Sequence, residues 1–131
     1  MNLLLDTHIW IWNHLEPWKV ASDVNQALGD PENELWLSPV SIWELMTLLE
    51  KKRVSLDEDM NTWVEKSKRD LLLREAPFSW DVAQELRFTL LAHRDPADRL
   101  LVATAKARDL TLVTADERLL RVDGLRVLAN R

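Results

Sequence analysis

Four acidic residues, Asp6, Glu44, Asp98 and Asp116, lie where predicted strands meet predicted helices. Asp6 ends the apolar run of residues 3–5, which has the composition and length of a short buried strand. An ionised carboxylate at such a place is costly unless a partner or a cation compensates its charge. The chemistry that this sequence supports therefore depends on whether the four side chains meet.

Short apolar runs alternate with helical segments along the chain, which predicts an α/β fold with a parallel sheet covered by helices on both faces. Strands are predicted over residues 3–5, 35–37, 71–73, 110–113 and 125–128, and helices start near residues 9, 22, 40, 57, 79, 96 and 117. Parallel strands end at one edge of a sheet, and sites form there. Asp98 joins this edge if its helix runs antiparallel to the strand that follows.

Carboxylates crowded at one edge raise one another's pKa values unless a cation lies among them. Oxygen ligands of this kind favour Mg²⁺ or Mn²⁺ over Zn²⁺. Such an ion lowers the pKa of a bound water and neutralises the charge of an attacked phosphodiester. The four acids therefore indicate hydrolysis of a phosphate ester without a covalent intermediate.

Helix capping offers a second interpretation of these acids. Ser41 and Glu44 have the spacing of a capping box, and Asp95 is placed to cap a helix with Asp98 in its first turn. Asp116 also has a cap-like position. Helix capping explains Asp6 least well, because no acidic capping partner follows it three residues later.

The composition excludes several other classes of protein. With 131 residues, the chain is expected to form one domain over residues 1–131, with a core that needs no disulfide bonds. It has no cysteine, which excludes thiolate zinc and iron–sulfur sites, and two glycines leave little room for a phosphate-binding loop. The apolar runs are too short to cross a bilayer, so we expect a soluble cytoplasmic protein.

Charge is distributed unevenly along the chain. The net charge is −5; residues 1–50 hold one basic and eight acidic residues, whereas residues 51–131 hold sixteen basic and fourteen acidic ones. A polyanion would therefore be met by the second half of the chain or by bound cations.

Four segments together resemble the PIN-domain ribonucleases, in particular the VapC-type toxins of bacterial toxin–antitoxin pairs. They are LLDTH at residues 4–8, SPVSIWE at 38–44, HRDPADRLLVATA at 93–105 and LVTAD at 112–116. The resemblance spans nearly the whole chain. It implies a three-layer α/β/α sandwich with a central parallel sheet of about five strands, a homodimer, Mg²⁺- or Mn²⁺-dependent RNA cleavage and inhibition by a small cognate antitoxin.

The resemblance assigns the catalytic and metal-binding roles to the acidic quartet, Asp6, Glu44, Asp98 and Asp116. Asp95 is assigned to capping and to support of the site, because the third acid of the family directly precedes the apolar helix.

Residues near the quartet are candidates for RNA contacts. Thr114 matches the small hydroxyl residue that precedes the last acid. Arg94 and Arg99 flank the proposed site and are candidates for binding RNA phosphates, although Arg99 is equally placed to pair with a carboxylate. His93 is a weaker candidate for a substrate contact.

Two other functions compete with a nuclease. Leu4 to Thr7 and Thr114 superficially resemble an aspartate-nucleophile phosphohydrolase, but that chemistry needs an acid two residues after the nucleophile, where this chain has His8. A non-catalytic module that only docks or regulates a partner is the other alternative. Trp10 and Trp12 are the predicted contacts for a second subunit or an antitoxin.

Overall fold

A computed structural model describes residues 1–91 and 95–131 of the chain. Five parallel strands form one sheet in the order β3-β2-β1-β4-β5, with helices on both faces. The strands are β1 (Asn2–Leu5), β2 (Glu34–Leu37), β3 (Arg74–Glu75), β4 (Thr111–Thr114) and β5 (Val127–Ala129). The predicted α/β class with a parallel sheet of about five strands is confirmed.

Within residues 1–91 and 95–131, the strands are connected by the helices α1 (Thr7–Leu15), α2 (Ser22–Gly29), α3 (Pro39–Glu50), α4 (Met60–Asp70), α5 (Trp80–Glu85) and α6 (Pro96–Arg108). Short 3₁₀ turns follow α1 at Pro17–Lys19 and α5 at Leu86–Phe88. Among the residues described, no helix has the length and apolar character needed to cross a membrane.

Strand β1 is the centre of the sheet and of both core layers. Leu3 and Leu5 pack with α1 to α4 on one face, whereas Leu4 packs with α6 on the other. Side chains of a strand alternate between its faces, so a strand buried on both sides has to be apolar throughout. Because β1 pairs with β2 and β4, the residue that follows it, Asp6, lies in the middle of the carboxyl edge.

Helix α6 begins as the sequence predicts. Asp95 is its N-cap, and the side chain accepts hydrogen bonds from the backbone N–H groups of Ala97 at 3.0 Å and Asp98 at 3.4 Å. Pro96 occupies the first turn, where a missing N–H costs nothing. The cap therefore fixes the turn that carries Asp98.

The prediction of a strand over residues 71–73 is wrong. Helix α4 runs to Asp70, and Leu72 turns the chain with φ of 52° before Arg74 pairs with Trp36 in β2. Three leucines have the composition of a strand. Here they end a helix instead, and Leu72 is largely exposed.

Three smaller predictions also need correction. The segment 117–120 is a turn held by hydrogen bonds from Leu119 and Leu120 to the Asp116 carbonyl, not a helix. Helix α4 begins at Met60 with Asp59 as its N-cap, later than the predicted start near residue 57. Helix α2 begins at Ser22 as predicted, but its N-cap is Ala21, although serine is the residue type that favours the cap position.

Trp10 cannot be the predicted surface for a partner, because its side chain is fully buried. Its indole N–H donates to the Ser67 hydroxyl at 2.7 Å, and His14 shares the same hydroxyl at 2.6 Å. The Trp63 ring packs against both Trp10 and His14. Trp10 therefore joins α1 to α4 inside the protein.

The capping role of Asp95 predicts different effects of two substitutions. Asp95→Ala should lower the free energy of unfolding by about 1 kcal/mol, because two N–H groups lose their acceptor. Asp95→Asn should lower it by much less, because the amide oxygen of Asn can still accept from these N–H groups. Urea unfolding followed by circular dichroism measures both. If the Ala variant were as stable as the wild type, the capping role would be wrong.

Candidate functional site

Asp6 is held at the end of β1 by contacts with β4. Its backbone N–H donates to the Val113 carbonyl at 3.0 Å, and its Oδ2 accepts the Thr114 hydroxyl at 2.6 Å. The same Thr114 oxygen accepts the N–H of Asp116 at 3.1 Å. Thr114 orients two acids of the quartet through these hydrogen bonds. Its side chain is fully buried, so it is not accessible for the predicted contact with RNA.

Glu44 comes to the same edge from the second turn of α3. The Thr7 hydroxyl donates to Glu44 Oε1, and Thr7 Oγ1 also lies 2.8 Å from the Ser41 hydroxyl oxygen. Thr7 has one hydroxyl proton, so Ser41 is the donor in the second contact. Both hydroxyl groups are buried, and together they orient Glu44.

The capping-box interpretation of Glu44 is wrong. The N-cap of α3 is Ser38, whose hydroxyl accepts the Val40 N–H at 3.1 Å, and Ser41 is used by Thr7 instead. Glu44 therefore has no capping role in α3, and its contacts belong to the acidic site.

Asp98 and Asp116 approach from α6 and from the segment after β4, and Arg118 lies beside both. Arg118 binds Asp116 with two side-chain contacts, Nε to Oδ1 at 3.1 Å and Nη2 to Oδ2 at 2.9 Å. Its Nη2 is 3.8 Å from Asp98 Oδ2. The guanidinium group thus compensates negative charge at one side of the quartet.

All four predicted acids line one pocket of about 290 Å³. His8, Trp12 and Ala115 complete its lining. Asp6, Glu44, Asp98 and Asp116 come from four different segments, the end of β1, α3, α6 and the end of β4. The convergence expected from the sequence is therefore present in the structure.

Burial is the main electrostatic effect on two of these acids. It raises the pKa of Asp6, although the hydrogen bond from Thr114 acts in the opposite direction. Burial also raises the pKa of Glu44, and the negative charges of Asp6, Asp95 and Asp98 add to that increase. Like charges held in a poorly solvated pocket make the site a region where a cation would be favourable.

The donor set fits a hard divalent cation, because it consists of carboxylate oxygens alone. Within residues 1–91 and 95–131, no three His, Cys, Asp or Glu side chains already have a metal-binding arrangement. Glu44, Asp6 and Asp116 are instead held by Thr7, Thr114 and Arg118. Binding a metal would require these side chains to exchange some of their present contacts.

The predicted RNA contacts have different positions. Arg94 and His93 lie outside the described residues. The Arg99 guanidinium donates to the carbonyls of Thr89 at 2.9 Å and Leu86 at 2.7 Å, and thereby holds the 3₁₀ turn after α5. Arg99 thus has a structural role, and its contact with RNA stays a prediction.

Sequence reasoning missed Thr7, Ser41 and Arg118. Thr7 lies next to Asp6, and Arg118 lies two residues after Asp116, so proximity in sequence to an acid was the available signal. The spacing of Ser41 and Glu44 predicts a helix cap, so it gives no signal for the contact of Ser41 with Thr7. These three residues orient or neutralise the carboxylates of the pocket.

Asp6→Asn should stabilise the protein in EDTA at neutral pH, because it removes a buried charge and its amide oxygen can still accept from Thr114. Below the ordinary pKa of 3.8, the wild-type carboxyl is protonated in both the folded and unfolded states. As the pH rises through this value to the raised pKa, the wild type loses stability relative to the variant. The difference then stays constant at higher pH.

Urea unfolding between pH 3 and pH 8 measures this effect. The exposed residue Asp57 supplies the control, since Asp57→Asn should follow the wild type at each pH. A variant at Asp6 that was less stable than the wild type at pH 8 would contradict the account of its burial.

Comparison with known proteins gives the family of this chain. Residues 3–125 match the PIN domain. The chain is 31% identical over 122 residues to Ribonuclease VapC22 of Mycobacterium tuberculosis, which covers 89% of this chain and 88% of that protein.

Solved structures share the fold. The VapBC2 complex from Rickettsia felis, bound to a DNA fragment from its promoter, aligns with a TM-score of 0.68 and 20% identity over 98% of both chains. FitAcB from Neisseria gonorrhoeae aligns with a TM-score of 0.66 and 25% identity over 98% of this chain and 97% of that one. The resemblance seen in the sequence motifs is confirmed, and this chain belongs to the PIN domain family, in its VapC group.

Proposed function

We propose that this chain is a divalent-metal-dependent endoribonuclease and the toxin of a toxin–antitoxin pair. The observation that carries the proposal is the convergence of Asp6, Glu44, Asp98 and Asp116 on one pocket at the carboxyl edge of the sheet. The relative named Ribonuclease VapC22 supports RNA as the substrate. We keep the prediction that residues 1–131 form one nuclease domain.

In this proposal the four carboxylates hold Mg²⁺ or Mn²⁺. The ion would supply an activated water and would neutralise the charge of the attacked phosphodiester. The Thr114 hydroxyl holds one oxygen of Asp6, Oδ2, in place. Thr7 does the same for Glu44, whose Oε1 it binds.

Arg118 maintains charge balance at the edge of the site. Its two contacts with Asp116 hold that carboxylate in a defined orientation. A guanidinium group next to two acids also reduces the repulsion that an RNA phosphate would meet there. Arg118 is thus a positioning residue for Asp116 and a candidate contact for the substrate.

The proposal includes two protein partners. An antitoxin is supported by the solved VapBC and FitAcB structures whose fold this chain shares. A homodimer is supported by exposed tryptophans, since Trp18 is 75% and Trp80 is 88% exposed. We propose that the protein acts in the cytoplasm, because its RNA substrate and its antitoxin would be present there.

No observation favours the phosphohydrolase alternative. An aspartate nucleophile at Asp6 needs an unhindered carboxylate and a second acid two residues on. Here one oxygen of Asp6 accepts from Thr114, and His8 occupies the second position.

Asp6→Ala and Asp98→Ala should each lower the rate of RNA cleavage by roughly 100-fold or more with the fold intact, since each removes a proposed metal ligand worth several kcal/mol in the transition state. EDTA should abolish cleavage by the wild type. The measurement is cleavage of tRNA and ribosomal RNA with Mg²⁺ or Mn²⁺, with circular dichroism to check folding.

Asp57→Asn is the matched control, because it removes an exposed carboxylate away from the pocket and should cleave like the wild type. Full activity of the Asp6 or Asp98 variant would contradict the proposed mechanism. A wild type as inert as Asp6→Ala on every RNA, yet bound tightly by a protein partner, would favour the docking module instead.

A further inference from the structure

A second cavity, of about 530 Å³, lies next to the acidic pocket, and its lining combines basic and apolar side chains. We call it the basic cavity. Its main lining residues are Phe88, Leu90, Lys106, Arg118, Arg121 and Asp123. It lies at the face of α6 and the turn before β5, on the opposite side of the sheet from α1 to α4.

Arg118 joins the basic cavity to the acidic pocket. Its side chain lines the cavity, and its guanidinium binds Asp116 at 2.9 Å and lies 3.8 Å from Asp98. Arg118 therefore connects the two sites, because it lines the basic cavity and contacts two of the acids that are proposed to cleave RNA.

The charges of this cavity complement a polyanion. It has three basic residues, Lys106, Arg118 and Arg121, and one acidic residue, Asp123. Within the described part of the chain, Lys106 and Arg121 have no ion-pair partner. A protein with a net charge of −5 needs such a local excess of cations to hold RNA beside four carboxylates.

The apolar side chains of the cavity include an exposed aromatic ring. Phe88 is 63% exposed, and the Arg87 guanidinium carbon lies 4.5 Å from its ring centre. Aromatic rings next to basic side chains are the usual means by which proteins hold unpaired bases without reading their sequence. Leu90, which is 80% exposed, extends the apolar surface beside the ring.

We propose that the basic cavity is a nucleotide subsite for single-stranded RNA, in which Phe88 stacks on a base and Lys106 and Arg121 bind phosphates of the same strand. This inference rests on the proposed ribonuclease function. An apolar peptide would not use the charges of Lys106 and Arg121, so the charge of the cavity favours RNA over a protein partner.

The test measures RNA binding without cleavage. Asp6→Asn is the parent protein, and a fluorescein-labelled single-stranded oligoribonucleotide of mixed sequence is the probe, followed by fluorescence anisotropy in Mg²⁺ buffer at several KCl concentrations. Arg121→Gln and Phe88→Ala are added to the parent. Arg53→Gln and Phe78→Ala are matched controls, since Arg53 and Phe78 are exposed residues that do not line the cavity.

Phe88→Ala should weaken binding about fivefold or more while the dependence on salt stays the same, because a stacked base carries no charge. Arg121→Gln should weaken binding at low salt and reduce the slope of log Kd against log salt by about 1, because one phosphate contact is lost. Both control variants should bind like the parent. Thermal melting checks that each variant is folded.

Two negative results are distinguishable. If the parent bound RNA and both cavity variants bound it equally well, the subsite would be overturned while the nuclease proposal stood, and the cavity would be left to a protein partner. If the parent and the folded wild type bound no RNA at all, the ribonuclease proposal would fail, and the subsite with it.

Discussion

The main constraint on this structure is the desolvation free energy of carboxylates that lie at the buried edge of a parallel sheet. Strand β1 is apolar on both faces because helices cover both sides of it, so the acid that follows it cannot avoid burial. Thr114 offsets part of that cost for Asp6, and Thr7 does so for Glu44. The free-energy cost that remains is visible as a raised pKa of both acids. A bound cation would favour the ionised carboxylates and would therefore lower both pKa values.

Each support of the site comes from an element that has a separate structural role. Thr114 is the last residue of β4, so the pairing of β4 with β1 sets the distance between Asp6 and Asp116. Asp95 caps α6 and thereby fixes the turn that carries Asp98. A change in the pairing of β1 with β4, or in the cap that Asp95 makes, would therefore move the carboxylates of the pocket.

Much of the fold follows from local sequence patterns. The apolar run before Asp6 and the Asp-Pro start of α6 predict elements that form there, and α3 begins at Pro39, next to its predicted start near residue 40. The acids converge because Asp6 and Asp116 follow parallel strands that end at one edge, and because α3 and α6 begin at that edge with Glu44 and Asp98 in their first two turns. The predicted quartet therefore shares a pocket.

Other features are decided by contacts distant in sequence, which local patterns do not contain. Residues 71–73 have the composition of a strand, yet α4 continues to Asp70 and leaves only Arg74 and Glu75 to pair with β2. Trp10 is buried because it packs against α4, where Trp63 contacts its ring and Ser67, 57 residues away, accepts its N–H. Arg118 is close to Asp116 in sequence, but its position beside Asp98 depends on the fold, because Asp98 comes from α6.

Calorimetric titration of Mn²⁺ into metal-free protein tests the central claim most directly, because it measures the cation without requiring the right RNA. The account predicts saturable binding by the wild type and by Asp57→Asn, and binding weakened at least about 10-fold by Asp6→Asn and by Asp116→Asn. Saturable binding that neither Asp6→Asn nor Asp116→Asn altered, or a folded wild type that bound no Mn²⁺, would contradict the assignment of this carboxylate pocket as a metal site.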